Sequence, residues 1–123
     1  MSTTYKLTSG AASDGAVYLD VPITGVIKSA NFALAMTAGA GGVGSGSAEL
    51  SRSPVNQIAT NNPRGVLAHA VIYTAAASQG SSVNIAHPNL AEPIHAGERL
   101  YLNCAGLTAN NGGMNYSCFF TVF

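Results

Sequence analysis

A strict alternation of apolar and polar residues marks two runs in the C-terminal third of the chain. Alternation with a period of two is typical of a half-buried β-strand, since successive side chains point to opposite faces. Between the runs, residues 109–113 (Ala-Asn-Asn-Gly-Gly) tolerate the positive φ of a hairpin turn. We therefore predict a terminal β-hairpin over residues 93–123. Its apolar face is formed by Leu100, Leu102 and Cys104 in the first strand and by Tyr116, Cys118, Phe120 and Val122 in the second.

The two cysteines of the chain fall on the two strands of this predicted hairpin. With the turn centred on Asn111, Cys104 faces Cys118 and the apolar side chains of both strands lie on the same side. Facing cysteines can form a cross-strand disulfide. The alternative is a pair of reduced cysteines that fill the core as small apolar residues, which is the commoner arrangement in cytosolic proteins.

The rest of the chain consists of short extended runs separated by Gly, Pro, Asn and Ser. The longest apolar run, residues 65–75, is apolar on both faces, which indicates a central strand or one covered by a neighbouring subunit. Residues 29–37 alternate as a strand does, although their Ala, Leu and Met also favour a helix. Residues 1–4 are predicted to be a flexible tail. The glycine-rich residues 38–47 are predicted to be a mobile loop, because ordering so many glycines is entropically costly.

These features predict an all-β fold. We expect one domain, residues 1–123, built as an antiparallel β-sandwich or jelly roll of about seven to nine short strands. A chain of 123 residues can bury a core without a metal or disulfide. Neither an internal repeat nor a shift in composition marks a second domain.

Charge is scarce in this sequence. Charged residues make up 8% of the chain, against roughly 25% in a typical soluble domain. Five basic and five acidic residues cancel, and a net charge near zero favours association. We therefore expect other subunits to cover much of the surface, with polar glycine-rich loops as the alternative explanation.

The distribution of charge and hydropathy argues against two classes of partner. Nucleic acid requires clustered Lys and Arg, whereas the basic residues here are scattered singly. No apolar run approaches the length of a membrane span. The start at Met1 has no apolar secretory segment, which favours synthesis and use in the cytoplasm. The basic residues are Lys6, Lys28, Arg52, Arg64 and Arg99.

No pattern of catalytic or metal-binding residues is evident. The glycine run lacks the Lys and Ser or Thr of a phosphate-binding loop, and there is no Gly-x-Ser-x-Gly elbow. The five carboxylates are scattered, and no tryptophan supplies a sugar platform. His87 and His95 lie near Glu92 and Glu98, but without a spacing typical of metal ligands. We expect a non-enzymatic protein with no metal and no cofactor.

A segment near the C-terminus and the composition of the predicted strands are similar to those of known proteins. Residues Ala96 to Leu102 read Ala-Gly-Glu-Arg-Leu-Tyr-Leu, similar to the penultimate strand of many viral and trimeric jelly rolls. With its Ser-Thr start and charge-poor Ala, Gly, Asn and Ser-rich strands, the chain resembles small bacteriophage proteins that decorate or cement capsids. The resemblance implies a β-sandwich, often a trimer, that binds the major capsid protein or other virion proteins at junctions between capsomers. It also implies a protein made in the host cytoplasm and located in the virion.

For such a protein we expect subunit contacts at Tyr101, Phe119 and Phe123. The main alternative is a carbohydrate- or receptor-binding β-sandwich, such as the head of a spike or tail fibre. An icosahedral coat subunit is a further alternative, although residues 1–10 carry a single basic residue where such coats usually have a basic arm. The aromatic candidates for carbohydrate binding are Tyr5, Tyr18, Tyr73 and Tyr101.

Overall fold

The computed structural model describes residues 2–8, 15–36, 44–58, 65–74, 81–105 and 114–123. These ranges contain nine β-strands and no helix. It follows that no helix within them is long and apolar enough to cross a membrane. The strands are β1 (Thr3–Thr8), β2 (Tyr18–Asp20), β3 (Gly25–Met36), β4 (Gly44–Ser51), β5 (Val66–Thr74), β6 (Ser81–His87), β7 (Glu92–Ile94), β8 (Arg99–Ala105) and β9 (Met114–Val122).

The strands form two antiparallel sheets that pack face to face. Sheet A has the order β1-β9-β3-β6, and β7 pairs with the beginning of β3. Sheet B has the order β2-β8-β4-β5. Most consecutive strands change sheet, which is the connectivity of a double-sheet jelly roll. The predicted all-β fold, an antiparallel β-sandwich or jelly roll, is therefore confirmed, whereas the bounds of a single domain over residues 1–123 stay a prediction.

The core lies between the two sheets and is built from every second side chain of each strand. In β9 buried residues alternate with more exposed ones from Met114 to Val122. Phe32 and Phe120 are the largest fully buried side chains, and the ring of Tyr5 lies 5.5 Å from that of Phe120. Full burial of one such side chain contributes about 1.5–3 kcal/mol. The aliphatic core includes Val21, Ile27, Leu34, Leu50, Ile94, Leu100, Leu102 and Val122.

The predicted terminal hairpin over residues 93–123 is wrong. Strand β8 lies in sheet B between β2 and β4, whereas β9 lies in sheet A between β1 and β3. The alternation that suggested the hairpin is present, but Leu102 and Phe120 enter the core from opposite sheets. Alternation reports which face of a strand is buried, not which strand is its neighbour. The predicted turn at residues 109–113 lies outside the described residues.

The two cysteines consequently do not face each other across a hairpin. Cys104 lies in β8 of sheet B and Cys118 in β9 of sheet A, and no disulfide joins them. Cys118 is fully buried and Cys104 is half-buried against the core. Both thiols thus pack as small apolar groups in the structure, the second of the two arrangements considered above.

Two segments predicted to lack regular structure belong in part to strands. Thr3 and Thr4, from the predicted tail, pair with Val122 and Thr121 of β9. Residues 44–47 of the predicted glycine-rich loop belong to β4. Residues 38–43 of that loop lie outside the described residues.

Two long strands were considered in the sequence analysis, with different outcomes. Residues 29–36 are strand, as their alternation predicted, and they continue a longer strand, β3, that is irregular between Ile27 and Ser29. Strand β5 was expected to be central or covered by a neighbouring subunit; it is an edge strand of sheet B, so the central position is wrong and the covering subunit stays a prediction. Leu67, on the outward side of β5, is nevertheless buried. Apolar residues on both faces therefore do not require a central position.

Candidate binding surfaces

The outer face of sheet A is nearly free of charge. Lys6 of β1 and Lys28 of β3 are exposed there, and the outward positions of β1, β3, β6 and β9 hold no carboxylate within the described ranges. Small residues form its centre. In the register of the sheet Asn31 lies between Ala86 and Phe119, Ala33 between Asn84 and Ser117, and Ala35 between Ser82 and Asn115.

A shallow groove crosses this face. It consists of two adjoining depressions of about 360 and 300 Å³, and both are lined by Ala33 and Asn84. Asn115 lines the first depression, and Asn31 and Phe119 line the second. We call this surface, with Asn31, Asn84, Asn115, Ala33 and Phe119, the amide groove. All three asparagines are exposed, and none of their side-chain amides makes a hydrogen bond to another described residue.

A lysine lies at the edge of the amide groove. Lys6 pairs with Phe119 across β1 and β9, and its Nζ lies 5.0 Å from the centre of the Phe119 ring. Phe119 is 38% exposed. The same arrangement recurs at Lys28, whose Nζ lies 5.1 Å from the ring of Phe123, but neither residue lines the groove. A cation over an aromatic ring is stabilised by the ring quadrupole.

The outer face of sheet B carries a different surface, an aromatic and ionic cluster on β2 and β8. Tyr18 pairs with Tyr101, and their ring centres are 6.1 Å apart. Asp20 pairs with Arg99, and its two oxygens accept hydrogen bonds of 2.7 and 3.1 Å from Nε and Nη2 of the guanidinium. The guanidinium carbon lies 4.1 Å from the centre of the Tyr18 ring. We call these four residues the tyrosine patch.

The ionic pair in the tyrosine patch is exposed and remains charged at neutral pH. The hydrogen bond from Arg99 lowers the pKa of the Asp20 carboxyl below its ordinary value. The hydrogen bond to Asp20 likewise raises the pKa of the Arg99 guanidinium. The pair fixes the direction of the arginine side chain, and water screens its attraction.

Sheet B is also covered in part by residues 52–58, which we call the strap. Glu49 of β4 is fully buried beneath it and accepts hydrogen bonds of 2.9 and 3.2 Å from the backbone N–H groups of Gln57 and Ile58. The side-chain amide of Asn103 donates to the carbonyl of Ser53 at 2.8 Å. A buried carboxylate with several donors is typical of a structural anchor.

The acidic residues considered as metal ligands face an arginine instead. Arg52 lies 3.7 Å from Glu92 and 3.3 Å from Glu98, and it also donates to the carbonyl of Pro93. His87 is hydrogen-bonded to the carbonyl of His69 at 2.8 Å. Among the described residues, no three His, Cys, Asp or Glu side chains are grouped so that they could hold a metal ion.

The structure separates the three residues expected to form subunit contacts. Phe119 and Phe123 lie on the outer face of sheet A, whereas Tyr101 is half-buried on the outer face of sheet B. One flat interface therefore cannot contain all three.

The aromatic candidates for carbohydrate binding are also divided. Tyr18, 49% exposed, and Tyr101 come together in the tyrosine patch. Tyr5 instead packs against the core at Phe120. Tyr73 is in β5, but its side chain lies outside the described part of the structure.

The three asparagines of the amide groove were not predicted from the sequence, whereas Phe119 was expected as a subunit contact. Asn31, Asn84 and Asn115 belong to three strands that are distant in the chain. The sequence does hold one hint of these asparagines. Each occupies an outward position of its strand, where strands of soluble proteins often carry a charged residue. Recognising them as one surface requires the order β6-β3-β9, which local alternation does not contain.

Comparisons with known proteins do not assign this chain to a family. No family model matches the chain, and no curated protein matches it. An arabinose-bound α-L-arabinofuranosidase, MgGH51, aligns with 99% of this chain at 12% identity and a TM-score of 0.41. This chain covers 22% of that enzyme. The C-terminal CBM6 of the laminarinase LamC from Zobellia galactanivorans aligns with 98% of this chain and 100% of its own, at 13% identity and a TM-score of 0.31.

Proposed function

We propose that the protein is a non-enzymatic structural component of a virus particle, a capsid decoration or cement protein that attaches to neighbouring virion proteins through the tyrosine patch. The observation that carries the proposal is the pre-arranged cluster of exposed Tyr18 and Arg99 with half-buried Tyr101. Tyrosine and arginine are enriched among the residues that dominate protein interfaces. Asp20 holds the guanidinium in place, which reduces the entropy lost on binding.

The composition of the chain supports the same proposal. With 8% charged residues and no formal net charge, little electrostatic repulsion opposes close packing of many copies. A jelly roll is compatible with shell proteins and with lectins alike, so the fold by itself does not choose between them. From the resemblance to phage decoration proteins we propose a trimer.

Two measurements test this role. The mass of the purified protein by light scattering distinguishes a trimer from a monomer. Quantitative mass spectrometry of purified particles of the virus that encodes this chain tests whether the protein is part of the virion. A cement protein should be present in a copy number comparable to that of the capsomers. Absence of the chain from such particles would overturn the proposal.

The second candidate is a carbohydrate- or receptor-binding module, and the amide groove is the observation that favours it. Side-chain amides both donate and accept hydrogen bonds, as sugar hydroxyls do, and exposed Phe119 offers an apolar surface to a sugar ring. The groove and the tyrosine patch lie on opposite faces, so one molecule can attach by one and bind a ligand by the other. A glycan array probed with the purified chain tests this candidate.

A further inference from the structure

We propose that the amide groove binds an anionic carbohydrate, with Lys6 as the residue that selects the acidic group. The inference rests on the second candidate function above and adds the chemical class of the ligand.

The position of Lys6 places a positive charge at the groove itself. Lys6 lines the first depression and Phe119 the second, and the two side chains are in contact. A sugar ring against Phe119 would therefore bring its substituents within reach of the ammonium group. The Lys6 side chain is exposed, so a ligand in the groove can reach it from solvent.

The charge of the face leaves this lysine available. The salt bridges of the described residues involve Arg52 and Arg99, not Lys6. No described carboxylate occupies an outward position on the four strands around it. A ligand carboxylate or sulfate would supply the missing opposite charge, and charge-assisted hydrogen bonds are stronger than neutral ones.

The lining indicates a carbohydrate rather than an acidic peptide. Asn84 and Asn115 lie beside alanines, which keeps the floor shallow and lets a ring approach closely. The amides offer mixed donors and acceptors, matched to hydroxyl groups. Apart from Phe119, the outward side chains of the described lining are small or polar, among them Ala33, Ala35 and Ser82, so they offer little apolar depth to a peptide side chain.

The test compares each acidic sugar with a neutral form that keeps the same rings and linkages. Isothermal titration calorimetry of the full chain would use tetragalacturonate and its full methyl ester, which carries no charge. Sialyllactose and its methyl ester form a second such pair. We expect at least one acidic member to bind more tightly than its neutral counterpart, with a preference that falls as salt is raised.

Two lysine variants provide the matched comparison. Lys6→Gln should weaken binding of the acidic sugar by about tenfold and remove the preference over the neutral one. Lys28→Gln removes the same kind of lysine, also over a phenylalanine but outside the groove, and should leave binding unchanged. Circular dichroism would confirm that both variants fold.

Each other result counts against the proposal in a distinct way. Equal binding of acidic and neutral sugars would overturn the selection of an anion while leaving the carbohydrate-binding candidate in place. Binding of neither pair at millimolar concentration would overturn both. Equal binding of poly-glutamate, with the same dependence on Lys6, would show recognition of charge alone and would overturn the assignment to carbohydrate.

Discussion

Gly25 lies directly against the backbone carbonyl of Phe123, so that a β-carbon at position 25 would overlap the carbonyl oxygen. This contact occurs where β3 and the end of the chain run side by side. Val26 and Phe123 exchange two backbone hydrogen bonds of 2.9 Å there. The close approach of the two backbones requires a residue without a side chain at position 25.

The first prediction is that Gly25→Ala destabilises the protein by about 1–3 kcal/mol, because the methyl group forces the two strands apart. Urea denaturation would measure the change. Gly97→Ala is the matched control, since φ at Gly97 is 92° but a β-carbon added there would meet no atom within 4 Å. The control should cost about 1–2 kcal/mol from backbone conformation alone. Equal behaviour of Gly25→Ala and the wild type would contradict the steric argument.

A second prediction concerns the tyrosine patch. If the patch also forms the contact between copies of this chain, Tyr101→Ser should reduce the mass measured by light scattering, since an interface aromatic contributes about 2 kcal/mol or more to binding. Phe123→Ser removes an exposed aromatic from the opposite sheet and should leave association unchanged. The reverse result would be loss of association with Phe123→Ser and no loss with Tyr101→Ser. It would show that the subunit contact lies on sheet A and not on the tyrosine patch.

Glu49 is the subject of a third prediction. Glu49→Gln keeps the size of the side chain but replaces one acceptor oxygen by an amide donor, so a backbone N–H of Gln57 or Ile58 loses its partner. We expect a loss of about 1–3 kcal/mol in the free energy of unfolding. Glu92→Gln breaks an exposed pair, 37% accessible on each side, and should cost less than about 1 kcal/mol. Similar losses in the two variants would show that the strap is not anchored by Glu49.

The fourth prediction is a dependence of stability on alkaline pH. Burial raises the pKa of the Cys118 thiol from 9.0 to about 12. The folded protein therefore keeps a proton that the unfolded chain releases, so the contribution of this group is complete below about pH 9 and is lost between about pH 9 and 12. Its slope is at most about 1.4 kcal/mol per pH unit.

The Cys118 effect is isolated by comparison with a variant. Cys118→Ala lacks the thiol, so the difference in unfolding free energy between wild type and variant should shrink as pH rises from 9 to 11. Lysine and tyrosine titrations are common to both proteins and cancel. A difference that stays constant over this range would mean that the thiol ionises equally in the folded and unfolded states.

Local sequence patterns predicted the strands well and their partners poorly. Alternation in β8 and β9 correctly assigned Leu100, Leu102, Phe120 and Val122 to the core. The same alternation suggested a hairpin, because it carries no information on which distant strand lies alongside. In this jelly roll the strands next in sequence mostly lie in opposite sheets, and the nearest spatial neighbours are far apart in the chain.

The candidate binding surfaces depend on those distant neighbours. Asp20 and Arg99 are 79 residues apart and meet because β2 pairs with β8. Tyr18 and Tyr101 were recognised singly as exposed aromatics, but their contact follows from that pairing. The three amides of the groove require the register of three strands, and neutral side chains give no local signal comparable to a catalytic motif.

The position of β9 has a consequence for synthesis of the protein. It is the last of the nine strands in the chain, yet it lies in the middle of sheet A, where it separates β1 from β3. A ribosome therefore releases β1, β3 and β6 long before the strand that joins them is available. Until then β1 lacks β9, the strand with which it pairs in sheet A, and open strand edges are available to other chains. Nascent chains truncated before Met114 should accordingly bind chaperones or aggregate, and folding should finish only after translation has passed β9.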